Sequence, residues 1–139
     1  MVLDDLESNQ SVLRAILRRR DGIQLFEANS CKAALAAVND HLLPLDLLIA
    51  DLRLPDGFGT HVAIELHGTN TLLKIIFISG TPLSHWPDEA KRDAAALPSA
   101  SWEVLEKPFL PVTLMAAVES AVGRSSPESR VEGDITPDA

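Results

Sequence analysis

Apolar positions along this chain follow two alternating patterns. Short apolar runs recur at "MVL" (1–3), "IQLFEA" (23–28), "LDLLIA" (45–50), "KIIFIS" (74–79) and "WEVLE" (102–106), and their length and bounding residues predict strands. Between them lie stretches with apolar residues three and four apart. "SNQSVLRAILRRR" (8–20) places Val12, Leu13, Ile16 and Leu17 at helical spacing and stops at Asp21-Gly22. "SCKAALAAVND" (30–40) follows, with Ser30 as its N-cap. "THVAIELHG" (60–68) has Thr60 in the same role, and "LSHWPDEAKRDAAAL" (83–97) reads as a weaker helix that begins around Ser84 to Pro87. "PVTLMAAVESAV" (111–122) opens on Pro111, which suits the first helical position. Five strands alternating with five helices predict an α/β domain around a parallel sheet. The runs at 45–50 and 74–79 are apolar on both faces, as central strands covered by helices must be.

From Gly123 the pattern stops. "GRSSPESRVEGDITPDA" has no period and few large apolar residues, so it cannot offset the entropy of ordering. The expected organisation is one domain over 1–122 and a disordered acidic tail over 123–139.

Charge narrows the function classes. The 139 residues carry a formal net charge of −8, a field that repels phosphate backbones and anionic lipid. Neither nucleic acid nor a membrane is an expected partner. The basic run Arg18 to Arg20 is expected at a helix C-terminus, where cations complement the dipole. The single cysteine, Cys31, excludes an internal disulfide and suits a reducing cytoplasm. His41, His61, His67 and His85 share no metal-ligand spacing, and Trp86 and Trp102 read as packing residues.

The chemistry gathers where the strands end. In an open parallel sheet, ligands bind beyond the carboxyl ends of the strands. The first run stops at Asp4 and Asp5, the third at Asp51, the fourth at Ser79 and the fifth at Lys107. Each alone has a bland reading: an acidic chain start, a turn-opening aspartate, a turn serine, a surface lysine. Together they put three carboxylates, a hydroxyl and an ammonium on one rim. Three carboxylates would repel one another and raise their own pKa values, and Mg²⁺ resolves that conflict. Asp51 then suits a nucleophile that takes a phosphoryl group as an acyl phosphate. Mg²⁺, Lys107, Ser79 and backbone N–H groups after Asp51 would neutralise the phosphoryl oxygens.

The order "DD" (4–5), "IADLRLPDGFG" (49–59), "ISG" (78–80) and "KPF" (107–109) resembles the receiver domain of bacterial two-component response regulators. The likeness covers about residues 2 to 122. It implies a flavodoxin-like, doubly wound, five-stranded parallel sheet of order 2-1-3-4-5 with five helices. It implies that Asp51 is the phosphoacceptor, supplied by a sensor histidine kinase or a histidine phosphotransfer protein. Asp5 would bind Mg²⁺ directly and Asp4 through water, with the Arg53 main-chain carbonyl and Asp51 as further ligands. Ser79 would bond the phosphoryl group and signal its presence. Lys107 would bridge to it, with Pro108 in the cis form. The chain would be a cytoplasmic switch, monomeric or weakly dimeric, without an output domain of its own and acting on an unknown downstream protein. It would not be an enzyme beyond its own phosphorylation and dephosphorylation.

Three features depart from that pattern. Only Met1 to Leu3 precede the acidic pair, so the expectation is a chain start placed too late. Val104 stands where receivers carry a switch aromatic, and Trp102, on the same strand face, is the expected substitute. The segment between Gly80 and Trp102 is long and contains Pro82, Pro87 and Pro98. The alternatives are a haloacid-dehalogenase-like phosphatase, which uses similar groups but puts its nucleophile on the first strand, and a phosphate sink or scaffold.

Overall fold

The computed structural model describes residues 1–41 and 44–125. The chain runs β1 (Val2–Leu3), α1 (Glu7–Leu17), β2 (Glu27–Ala28), α2 (Cys31–His41) and β3 (Leu47–Asp51). A small hairpin follows, β4 (Arg53–Leu54) and β5 (Gly57–Phe58), then α3 (Gly59–Thr69) and β6 (Lys74–Ser79). α4 (Asp88–Ala95), β7 (Trp102–Glu106) and α5 (Pro111–Ser125) complete it. Five strands pair in the order β2-β1-β3-β6-β7, and every pairing within that sheet is parallel. With the hairpin set apart, this is the expected order.

Strand alternation divides the core in two. Leu3, Leu48, Ala50, Ile75 and Phe77 face one way, onto α2, α3 and α4. Val2, Ile49, Ile76, Ile78 and Leu105 face the other, onto α1 and α5. Leu48, Ile76 and Phe77 are fully buried, each side chain contributing about 1.5–3 kcal/mol relative to exposure.

Several elements differ from the sequence expectation. β2 is confined to Glu27–Ala28 rather than 23–28, because β1 offers a ladder only for those two residues. Ile23 and Leu25 still pack against the α1/α5 core without strand pairing. β3 starts at Leu47 and continues to Asp51, which pairs with Ile78. In the 83–97 segment the helix starts at the late end of the expected range: a 3₁₀ turn at Leu83–His85 precedes α4, whose cap is Pro87, since proline cannot occupy a helix interior. Ser30 caps α2 as expected, accepting from the Ala33 N–H at 3.1 Å. Thr60 does not cap α3. The cap position is Phe58, and the buried Thr60 hydroxyl donates to Asp93 Oδ2 at 3.0 Å, tying α3 to α4. Arg18 is the C-cap of α1, and Arg20 reaches Glu119 of α5 at 2.5 Å. The Met1 amino group donates to Leu47 O at 2.7 Å, and burial pushes its pKa down to about 5. α5 runs past Val122 to Ser125, and the remainder of the expected tail, 126–139, lies outside the described residues.

Candidate functional site

β3 is central in the sheet, with β1 on one side and β6 on the other, so its tip is flanked by theirs. The ladder carries through that tip: Leu52 N–H donates to Ile78 O at 2.9 Å. Asp51 is therefore held by paired backbone, not by a free loop. Asp4 leaves β1 at the same level, its N–H donating to Ala28 O at 3.1 Å. Gln10 of α1 fastens that corner, its amide donating to Asp4 O at 2.7 Å and Ala28 O at 2.9 Å. Lys107 leaves β7 beside Ser79, donating its N–H to Ser79 O at 2.8 Å, and the Lys107–Pro108 peptide is cis.

These backbone positions bring the side chains together. Carboxylate oxygens of Asp4, Asp5 and Asp51 lie within 4.8 Å of one another. Lys107 Nζ lies 3.1 Å from Asp51 Oδ1. Asp4 is buried, and its Oδ1 accepts from the Leu6 N–H at 3.0 Å and from Asn9 Nδ2 at 3.4 Å. Asp5 is exposed and Asp51 half-buried. Burial pushes the Asp51 carboxyl up, Lys107 opposes this, and the charges of Asp4 and Asp5 add to it. One ammonium against three carboxylates leaves a net negative, oxygen-only donor set at the rim. Such a set fits a hard divalent cation, and Mg²⁺ in particular accepts few carboxylates and keeps waters for phosphate oxygens to displace.

The loop after Asp51 is the β4/β5 hairpin. Its end returns to the nucleophile candidate: Gly59 N–H donates to Leu52 O at 2.9 Å. A Cβ on Gly59 would overlap the Asp51 carbonyl oxygen and press on Ala50 Cβ at 3.1 Å, so only glycine fits there. Asp56, in the hairpin turn, accepts from the N–H groups of Cys31 at 2.9 Å and Lys32 at 3.0 Å. These bonds cap α2 from a distance and hold the Asp56 carboxyl below its usual range. Cys31 is buried against Phe58, and burial pushes its thiol up to about 12. Arg53 stands on β4 with its guanidinium exposed and 5.9 Å from the centroid of the Phe58 ring. The expected ligand there is its carbonyl, not that side chain.

Ser79 ends β6 next to Ile78, the partner of Asp51 in the ladder. Its hydroxyl donates to Thr81 O at 2.7 Å and accepts from the Thr81 N–H at 3.0 Å and from Trp86 Nε1 at 3.2 Å. The expected role of Trp102 is not supported. Trp102 pairs with Ile75, at the far end of β7 from Glu106, the partner of Ser79. It packs on Phe77 with ring centroids 5.7 Å apart, and its buried Nε1 has no hydrogen-bond partner. Trp86 is the aromatic beside the hydroxyl, and Val104 pairs with Phe77. Among the histidines, His61 lies 3.8 Å from Glu65, and His67 has a buried Nε2 with no hydrogen-bond partner. The side chain of His41 lies outside the described residues.

Residues 1–119 match the family model of the response regulator receiver domain. The chain belongs to that family. This receiver is 29% identical over 133 residues to the transcriptional regulatory protein FixJ of Azorhizobium caulinodans, covering 94% of this chain and 58% of FixJ. It is 30% identical over 135 residues to the transcriptional regulatory protein KdpE of Mycobacterium tuberculosis, covering 97% of this chain and 55% of KdpE. The receiver thus spans a little over half the length of these relatives. Among solved structures, it resembles the receiver domain of NtrX from Brucella abortus, with a TM-score of 0.68 and 26% identity over 87% of this chain and 95% of that one. A receiver domain protein from Clostridium thermocellum shares the fold, with a TM-score of 0.70 at 22% identity over 88% of this chain and 92% of that one. The family makes the domain a signalling switch rather than an enzyme with a separate substrate, and it sets aside the dehalogenase-like phosphatase. Among the described residues, no helix is long and apolar enough to cross a membrane.

Proposed function

We propose that this receiver is phosphorylated on Asp51 from the phosphohistidine of a sensor kinase or a phosphotransfer protein, in a Mg²⁺-dependent reaction in the cytoplasm. One observation carries the reading: the Asp4, Asp5 and Asp51 oxygens lie within 4.8 Å of one another while Lys107 Nζ stands 3.1 Å from Asp51. A carboxylate oxygen of Asp51 bonds to phosphorus as the P–N bond of the donor breaks, and the released imidazole takes up a proton from solvent. Asp4, Asp5, Asp51 and the Arg53 carbonyl would hold Mg²⁺, which supplies charge neutralisation for the phosphoryl oxygens. Lys107 supplies a second positive charge 3.1 Å from the carboxylate, and Ser79 a hydroxyl donor one residue beyond the Asp51 partner.

The surroundings favour a protein donor. A cleft of about 440 Å³ beside the site is lined by Asp4, Val12, Leu13, Lys107 and Phe109. Exposed Leu6 and Val12, before and on α1, and Leu110 and Val112, before and on α5, lie on the same segments. Such a rim suits an apolar helical surface presenting a histidine.

The test is incubation with acetyl phosphate and Mg²⁺, followed by intact mass. The expected result is a gain of one phosphoryl group in the wild type, none with EDTA, and none in Asp51→Asn. A chain that stays unlabelled with ample Mg²⁺, or an Asp51→Asn protein that is labelled equally, overturns the proposal.

A further inference from the structure

The Ser79 hydroxyl has no spare hydrogen-bonding capacity. A serine hydroxyl offers one proton and two lone pairs, and all three are used within the loop from 79 to 86. The proton goes to Thr81 O at 2.7 Å, the lone pairs take the Thr81 N–H at 3.0 Å and the Trp86 indole N–H at 3.2 Å, and the Thr81 hydroxyl lies 3.3 Å away as a further competitor. The indole N–H is shared, since Thr81 O also lies 3.3 Å from Trp86 Nε1. Trp86 is 3% exposed and packs edge-on against Phe77, with centroids 5.8 Å apart and planes at 89°. Its backbone closes the 3₁₀ turn at Leu83–His85 and leads directly into α4.

We propose that Trp86 is a positioning residue: its indole holds the Ser79 hydroxyl in a resting orientation, and a phosphoryl group on Asp51 draws the hydroxyl away, handing the indole to Thr81 O. This inference rests on Asp51 phosphorylation. To donate to a phosphoryl oxygen, Ser79 must give up Thr81 O, and a charge-assisted bond replaces a neutral one. Thr81 O, relieved of the Ser79 proton, keeps the indole N–H it already half-engages. The exchange takes the Ser79 acceptor from the Thr81 N–H and one of two acceptors from the indole, so the resting arrangement opposes it. The indole is fixed to Phe77 on one side and to the 83–88 backbone on the other. A change at Ser79 is therefore carried to the start of α4.

Trp86 and Trp102 are the only two tryptophans, so Trp102→Phe isolates the signal of Trp86, and it removes an N–H that has no partner. In that protein, beryllofluoride with Mg²⁺ is expected to shift Trp86 emission as bound fluoride appears by ¹⁹F NMR. Adding Ser79→Ala is expected to abolish the shift at saturating beryllofluoride. Trp86→Phe, which keeps the ring on Phe77 but lacks the N–H, is expected to bind beryllofluoride about two- to tenfold more tightly, the worth of one hydrogen bond. A bound fluoride resonance with unchanged Trp86 emission overturns the inference and leaves the phosphorylation site intact. So does an emission shift that survives Ser79→Ala, or a Trp86→Phe protein with unaltered affinity. Absence of any bound fluoride resonance overturns both readings together.

Discussion

Two loops frame the Asp51 carboxylate, and different chemistry holds each. After β3, residues 52 to 58 are fixed by backbone: a hairpin, an N–H returned from Gly59 to Leu52, and a carboxylate on the start of α2. After β6, the turn at Leu83–His85 closes on itself through its own backbone, and residues 80 to 86 are tied to Ser79 by one rotatable hydroxyl and a shared indole N–H. Moving the first loop would break several backbone contacts at once. Moving the second needs one χ rotation and an exchange of partners. The contrast suits a site whose nucleophile must stay in place while its neighbour reports a change.

The rigid side can be broken most severely at Gly59. Gly59→Ala forces a Cβ into the Asp51 carbonyl oxygen, which is backbone and has nowhere to yield. The expected cost is about 1–3 kcal/mol, read as a lower urea midpoint, together with slower labelling by acetyl phosphate because Asp51 is displaced. Gly68, on the same helix, has nothing within 4 Å of its Cβ direction. Gly68→Ala should leave labelling unchanged and stabilise by up to about 1 kcal/mol from helix propensity. Equal behaviour of the two variants would mean that the close approach at Gly59 does not constrain the site.

The sheet order and the rim residues were legible because each rests on a simple regularity. Apolar runs on both faces marked β3 and β6 as central, and in a parallel sheet a polar residue at the end of such a run must sit on the common rim. Asp51 and Ser79 end those two runs, and Asp4, Asp5 and Lys107 follow the β1 and β7 runs to the same rim. The supporting residues were not legible. Asp56 looked like turn chemistry, and its actual partners are N–H groups 25 and 24 positions earlier. Gly59 is one of two glycines in "DGFG", and only the coordinates show which meets the Asp51 backbone. Trp102 is the expected substitute because strand faces can be read from parity, whereas the path of the proline-rich loop that carries Trp86 cannot. The short β2 was missed because strand propensity carries no information on how long the neighbouring strand is.

A smaller break on the rigid side is Asp56→Ala, which leaves two N–H groups at the α2 start without their acceptor. A lower urea midpoint is expected at neutral pH, with a smaller change than for Gly59→Ala. The folded state holds this carboxyl below its usual range. Its stabilisation is therefore present above the ordinary carboxylate pKa of about 3.9 and is lost as pH falls through the lower folded value. Wild type and variant should converge in strong acid. A difference in midpoint that is constant with pH would show that packing, not the charged cap, is at stake.

Asp51 has the opposite sign, and this gives the finest test of the comparison. Burial, with Asp4 and Asp5 behind it, raises the Asp51 carboxyl despite Lys107. A carboxyl whose folded pKa is raised binds its proton more readily folded than unfolded. Its contribution to stability is present below the unfolded value and is lost as pH rises through the folded one. At pH 7 without metal the ionised Asp51 therefore weighs against the fold. Asp51→Asn in EDTA should be slightly more stable than wild type at pH 7, and the advantage should vanish as pH falls below the carboxylate range. Mg²⁺ binds only the folded cluster, so it should raise the wild-type midpoint and do little for the variant. If Asp51→Asn is instead less stable in EDTA at pH 7, the Lys107 pair outweighs burial, and the rim is balanced without a metal.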